Sequence, residues 1–192
     1  MNLSETEKAL APLAEALDEF GIPYYVGGSI ASSFCGVARS TVDVDVIADL
    51  QIDDIGPFAR RLAGEYYLVE DTIRRAVRQR ESFNLIHLKT MMKVDVFVAG
   101  RSIHDRRALA RKRVDTFEGS SKEYNFASPE DVILAKLDWF RKGGQASLQQ
   151  WKDVLGVLQV QNDALDLLYL SAEARTLGIS DLLERACAEA SE

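Results

Sequence analysis

Two short runs decide how this chain is read: Val26-Gly27-Gly28-Ser29 and, about a dozen residues on, Val42-Asp43-Val44-Asp45-Val46-Ile47. The second alternates strictly, as a strand does, so Asp43 and Asp45 share one face about 6–7 Å apart and the valines fill the other. Aspartate is a poor strand former. Two such carboxylates repel each other unless a cation or a proton lies between them, and a hard divalent ion suits their oxygens. Taken alone, Asp-x-Asp is more often a strand with one solvated face. The first run stands after a strand and before a helix. There glycines let a ligand approach the backbone, and the helix N-terminus with the Ser29 hydroxyl favours an anion. A plain turn capped by Ser29 is the simpler account of that run by itself.

A third aspartate, Asp95, sits in a second Val-rich strand, Lys93-Val94-Asp95-Val96-Phe97-Val98. If that strand neighbours the first, three carboxylates converge beside a phosphate-binding turn. Such an arrangement serves two-metal phosphoryl or nucleotidyl transfer. The three features in this order are far more specific than any one of them.

Around these runs, Ser4-Glu5-Thr6-Glu7 reads as a capping box opening a helix through Leu10, Leu13, Leu17 and Phe20, closed by Gly21 and Pro23. Tyr24 to Val26 is a short strand, and a small-residue helix follows the glycine turn to Gly36. Further on, a helix is expected over 53–64, a strand over 66–69 and a short helix over 74–79. Strands over 83–88 and 93–98 should pair antiparallel, and a basic helix covers 104–111. The stretch 114–126 is mixed. Ser128-Pro129-Glu130-Asp131 is a strong helix start, and helices are expected over 129–141, 148–159, 163–177 and from 181 to the end. The simplest division is a catalytic α+β domain over 1–126 and a helical domain over 127–192.

The chain has 192 residues, 47% apolar and 28% charged, as in ordinary globular proteins. No run approaches the length needed to cross a bilayer, and Met1 to Glu7 is polar and acidic, so neither a membrane partner nor a signal peptide is expected. Cys35 and Cys187 are far apart and belong to no zinc pattern, which fits a cytoplasmic setting. The net charge of −7 argues against a protein that coats nucleic acid. From Arg60 to Arg113, however, 14 Lys/Arg stand against 6 Asp/Glu, a local +8, while the remainder has 9 against 24, or −15. A basic middle can attract a triphosphate or RNA; solvated helix faces account for any single arginine equally well. His87 and His104 have no partner at ligand spacing. Tyr24, Tyr25, Trp139, Phe140 and Trp151 read as packing residues.

The run Val26-Gly27-Gly28-Ser29 … Arg39-Ser40-Thr41-Val42-Asp43-Val44-Asp45-Val46, with Asp95 behind it, resembles the signature of the DNA polymerase β-like nucleotidyltransferase superfamily. Within it, the Arg-x-Thr-x-Asp-x-Asp string and the Ser-Pro-Glu-Asp tail are similar to the minimal antibiotic-nucleotidyltransferase and AbiEii-like toxin types. The resemblance implies an α+β nucleotidyltransferase fold, a short mixed twisted sheet flanked by helices, with a C-terminal helical domain. It implies transfer of a nucleoside monophosphate from an NTP such as ATP to a hydroxyl of RNA, protein or a small molecule, with release of pyrophosphate. Asp43, Asp45 and Asp95 would hold Mg²⁺, as two ions, or Mn²⁺, and Asp95 would also act as base or orient the acceptor. Gly27, Gly28 and Ser29 would hold phosphates, with Arg39 and Thr41 nearby. Lys136 and Asp153 match the tail lysine and aspartate that reach the nucleotide in toxin-like members. A role as the toxin of a toxin–antitoxin pair, with a partner protein or as a homo-oligomer, goes with that likeness. The alternative is a catalytically silent nucleotide-binding module that acts with a partner protein. A plain structural domain is the third reading.

Overall fold

The computed structural model describes residues 3–39, 41 and 43–191, with backbone alone for residues 3 and 4. Val42 and Ser40 of the signature, and the Ser4 side chain expected to cap the first helix, lie outside the described residues. Contacts divide the chain into two compact units, Met1–Gly27 with Ser40–Phe126 and Gly28–Arg39 with Ala127–Glu192.

The first unit begins with α1 (Leu3–Glu19), one residue ahead of the cap expected at Ser4. Leu10, Leu13 and Leu17 are fully buried, as their spacing requires, while Phe20 lies past the helix and is part-exposed. Pro12 stands inside α1, where its ring crowds the preceding turn. The Tyr66 hydroxyl enters the helix at this point. It accepts from the Leu13 N–H (3.2 Å) and donates to the Ala9 carbonyl (2.5 Å), so it bridges a pair that an unbroken helix would join directly.

After α1 come β1 (Tyr24–Val26) and the Gly27-Gly28 turn, where Gly28 has φ +56° and opens α2 (Gly28–Cys35). The chain returns to the first unit as β2 (Val44–Ala48), a 3₁₀ turn (Ile52–Asp54) and α3 (Ile55–Leu62). Then follow β3 (Tyr66–Tyr67), α4 (Glu70–Gln79), β4 (Ser82–His87), β5 (Lys93–Val98) and α5 (Ile103–Arg111). The mixed stretch resolves into a hairpin, β6 (Arg113–Thr116) and β7 (Glu123–Phe126). Its first strand is largely exposed and carries no apolar alternation, so periodicity could not mark it.

These strands form one mixed seven-stranded sheet in the order β3-β4-β5-β2-β1-β7-β6. β2 is parallel to β5 and antiparallel to β1; β4 and β5 pair antiparallel, as expected. Val44, Val46, Val94 and Val96 are fully buried, each contributing roughly 1.5–3 kcal/mol. α1 packs on β2 and β5.

The second unit is helical: α6 (Pro129–Lys142), α7 (Leu148–Gln161), α8 (Leu167–Leu177) and α9 (Ser180–Ala190), with a 3₁₀ turn (Asn162–Ala164) before α8. Ser128 caps α6 by accepting from the Asp131 N–H at 3.1 Å. Asp166 caps α8 in the same way, so that helix starts later than position 163. Phe140 and Trp151 are buried with ring centroids 5.2 Å apart, while Trp139 is exposed. α2 also belongs here, packed on α6 and α7. A Cβ on Gly36 would come within 2.8 Å of the Val157 nitrogen and 2.9 Å of the Gly156 carbonyl carbon, so α2 meets α7 backbone to backbone. Segment 28–39 therefore goes with the helical tail, where sequence reading counts it with residues 1–126.

Candidate active site

Within the first unit, the strand that carries Asp95 lies directly beside the one that carries Asp45, and the two residues are Cα partners in the parallel register. Alternation puts both on the half-exposed face, with their valine neighbours buried. Asp43 is one residue ahead of β2 rather than inside it, and its side chain is 50% exposed, against 20% for Asp95. The Thr41 hydroxyl donates to the Asp43 carbonyl at 3.4 Å. On the other side of β2, Val26 pairs with Val46, and the Gly27 N–H donates to the Asp45 carbonyl at 2.9 Å. The first residue of the glycine turn is thus tied to the backbone of the Asp45 strand.

Lys93, which no motif singles out, lies among these acids. It stands two residues before Asp95, which on a strand means the same face. Its Nζ lies 2.8 Å from Asp95 Oδ2 and 3.8 Å from Asp43 Oδ1. The hydrogen bond to Asp95, reinforced by the charges of Asp95, Asp43 and Asp45 against a smaller cost of burial, holds the ammonium above the ordinary lysine range.

The donor chemistry fits a hard divalent ion: carboxylate oxygens on adjacent strands, with a side-chain cation already drawn among them. Among the described residues, no three carboxylate, histidine or cysteine groups close on one point as a finished metal cage.

The second unit holds the other expected residues. The Arg39 guanidinium grips Asp153 with both Nε and Nη2 at 2.9 Å, and Nη2 also donates to Ser29 Oγ at 2.5 Å. Lys136 donates to Asp153 Oδ2 at 2.7 Å, and Gln149, one helical turn before Asp153, donates to Oδ1 at 2.8 Å. The Lys136 and Asp153 side chains are 5% and 6% exposed and Arg39 29%, so only the arginine of the three reaches solvent appreciably. Burial works to raise the Asp153 pKa, but hydrogen bonds from Arg39 and Lys136 overcome it and take the carboxyl down to about 2. Arg39 is pushed up by its hydrogen bond to Asp153. One carboxylate thus fixes two cations, and Arg39 links this set to Ser29 at the N-terminus of α2, an end of a helix that favours an anion. Gln149 was not anticipated; its i, i+4 spacing to Asp153 was the available signal.

Part of the basic middle is paired locally. Arg61 pairs with Glu19, Arg74 with Glu70, Arg80 with Asp49 and Lys89 with Glu65. His87 is buried against Tyr66 and bonded to Thr90, and burial lowers its pKa. No helix among the described residues is long and apolar enough to cross a membrane.

No family model matches the chain, and no curated protein matches it in sequence. Solved structures do resemble it. The antibiotic-resistance factor ANT(2″)-Ia matches with a TM-score of 0.58 at 15% identity, over 96% of this chain and 97% of that one. A nucleotidyltransferase-like antigenic protein from Paracoccidioides brasiliensis gives 0.54 at 17%, over 96% and 91%. The lincosamide antibiotic adenylyltransferase LnuA, bound to lincomycin, gives 0.52 at 10%, over 80% and 97%. The chain has the α+β nucleotidyltransferase-like fold, a mixed sheet with helices and a C-terminal helical region. At such identities the likeness extends to the fold alone.

Proposed function

We propose that this chain is a Mg²⁺-dependent nucleotidyltransferase that moves a nucleoside monophosphate from an NTP to a hydroxyl acceptor and releases pyrophosphate. The observation that carries the reading is the register pairing of Asp45 with Asp95 on parallel neighbouring strands, with Asp43 just ahead. A single solvated aspartate needs no such partner, and matched carboxylates on two strands raise a repulsion that a nearby positive charge or a proton relieves, which favours a site built to receive a cation. Asp43, Asp45 and Asp95 are the residues that hold Mg²⁺, or Mn²⁺ in its place. The bound ions supply charge neutralisation at the transferring phosphate and lower the pKa of the attacking hydroxyl.

The chain's own groups do the rest. Gly27 and Gly28 leave the backbone open to a phosphate. Ser29 accepts from Arg39, which leaves its own O–H to donate to a phosphate oxygen. Arg39, held by Asp153, adds positive charge where the leaving pyrophosphate develops negative charge. Lys136 and Gln149 serve by fixing Asp153, and Thr41 by shaping the approach to Asp43. Asp95 takes the proton of the acceptor hydroxyl or orients it. Two of the solved structures that resemble this chain are named for antibiotics, which supports a small-molecule acceptor; the toxin-like sequence signature and the basic stretch support RNA or protein, and a toxin–antitoxin role.

The test is incubation of the purified protein with each α-³²P-labelled NTP and Mg²⁺ in the presence of bulk tRNA, cell extract or an aminoglycoside panel. Label on a discrete species with wild type, and none with Asp43→Ala/Asp45→Ala, is the expected result and names the acceptor class. NTP binding without transfer to any acceptor would favour a regulatory module instead.

A further inference from the structure

Lys93 places a fixed positive charge inside a carboxylate cluster, which is where the reading above puts a metal. Its Nζ is at hydrogen-bonding distance from Asp95 and within ion-pair distance of Asp43. Its Cα is set by the first position of β5, but its long side chain is 46% exposed and has room to move outward. An ion pair this exposed contributes little to stability. Its consequence falls on the carboxylates, since an oxygen engaged by an ammonium at 2.8 Å is not offered to another cation, and two cations at one carboxylate repel.

We infer that Lys93 is a built-in competitor for the metal: its ammonium holds Asp95 and leans on Asp43, and it must leave Asp95 before a divalent ion can take that oxygen together with Asp45. This rests on the assignment of Asp43, Asp45 and Asp95 as metal ligands. Lys93 keeps the three acids from repelling one another before the ion arrives, and it makes the site weak for the free ion. Removing its charge leaves the acids in place and takes away the competitor.

The experiment is a titration of the full chain with Mn²⁺, free ion being counted by its EPR signal, for wild type, Lys93→Met, Lys93→Gln and Lys93→Arg. Met and Gln should each bind Mn²⁺ about tenfold more tightly or better, the effect of deleting one charge about 5 Å from a divalent ion in water, and Arg should bind as wild type does. Thermal melts of the same proteins provide a second readout: at equal Mn²⁺ the rise in Tm should be larger for Met and Gln than for wild type. Equal or weaker binding by Met and Gln, with wild type still taking up Mn²⁺, overturns the competition and leaves the nucleotidyltransferase reading standing. No uptake by any of the four, all folded by their melts, overturns both.

Discussion

Asp45 and Asp95 face one another as register partners on parallel strands, β2 and β5, whose intervening valines are buried. Two half-exposed acids held side by side, with the Lys93 ammonium drawn to them, form the pair on which the proposed metal site rests. Asp45→Asn and Asp95→Asn should each abolish nucleotidyl transfer, by at least about 10³-fold, the scale on which loss of one member of a catalytic unit falls. Tm should change little for Asp95→Asn, because the half-exposed ion pair it removes with Lys93 contributes little to stability. Paired rate and melting measurements check both halves of this expectation.

Arg39 offers a different test, since it joins Ser29 to Asp153. Arg39→Ala should weaken NTP binding about ten- to a hundredfold, as expected for loss of a charge-assisted hydrogen bond worth about 1.5–3 kcal/mol. Arg39→Lys should recover only part, because a point charge cannot reproduce the fork that reaches both residues. Equilibrium binding of a fluorescent NTP reads the difference.

Asp153 makes acid sensitivity predictable. Its carboxyl titrates at about 2 when folded, against an ordinary value of 3.8. A depressed carboxyl stabilises the fold fully above its unfolded pKa, and that contribution is lost as pH falls through the folded one. The stability gap between wild type and Asp153→Asn should therefore hold steady above about pH 4 and narrow between about pH 4 and 2. Denaturant melts at stepped pH follow it, and the other acids cancel because both proteins carry them.

Tyr66→Phe isolates the bridge in α1. Without the hydroxyl, the Leu13 N–H and the Ala9 carbonyl lose their shared partner in a buried setting beside Pro12. The variant should lose about 1–3 kcal/mol of unfolding free energy, measured by urea denaturation.

Much of this fold was legible in the sequence because its strands and helices announce themselves by period. The Val-rich strands with Asp45 and Asp95 between their valines, the antiparallel β4–β5 pair and the Ser128-Pro129 helix start stand where the pattern puts them, whereas Asp43 falls just ahead of its strand. What stayed hidden depended on tertiary context. β6 lies at the sheet edge, where burial imposes no alternation, and only the pairing of β7 with β1 through Phe126 gives the hairpin a place. The membership of α2 turns on Gly36 and Gly156 letting two backbones meet, a contact that no local pattern encodes. At the site, the residue types and their strands could be read, but not that Lys93 would lie among the acids or that Asp153 would tie Arg39 to Lys136. Those are pairings over long separations in sequence, apart from the Lys93–Asp95 spacing.

The most direct measurement is a crystal structure grown with Mn²⁺ and a non-hydrolysable NTP, with data collected at the manganese absorption edge. The account predicts an anomalous peak about 2.0–2.3 Å from carboxylate oxygens of both Asp45 and Asp95. Ordered nucleotide with no manganese on either residue would contradict it.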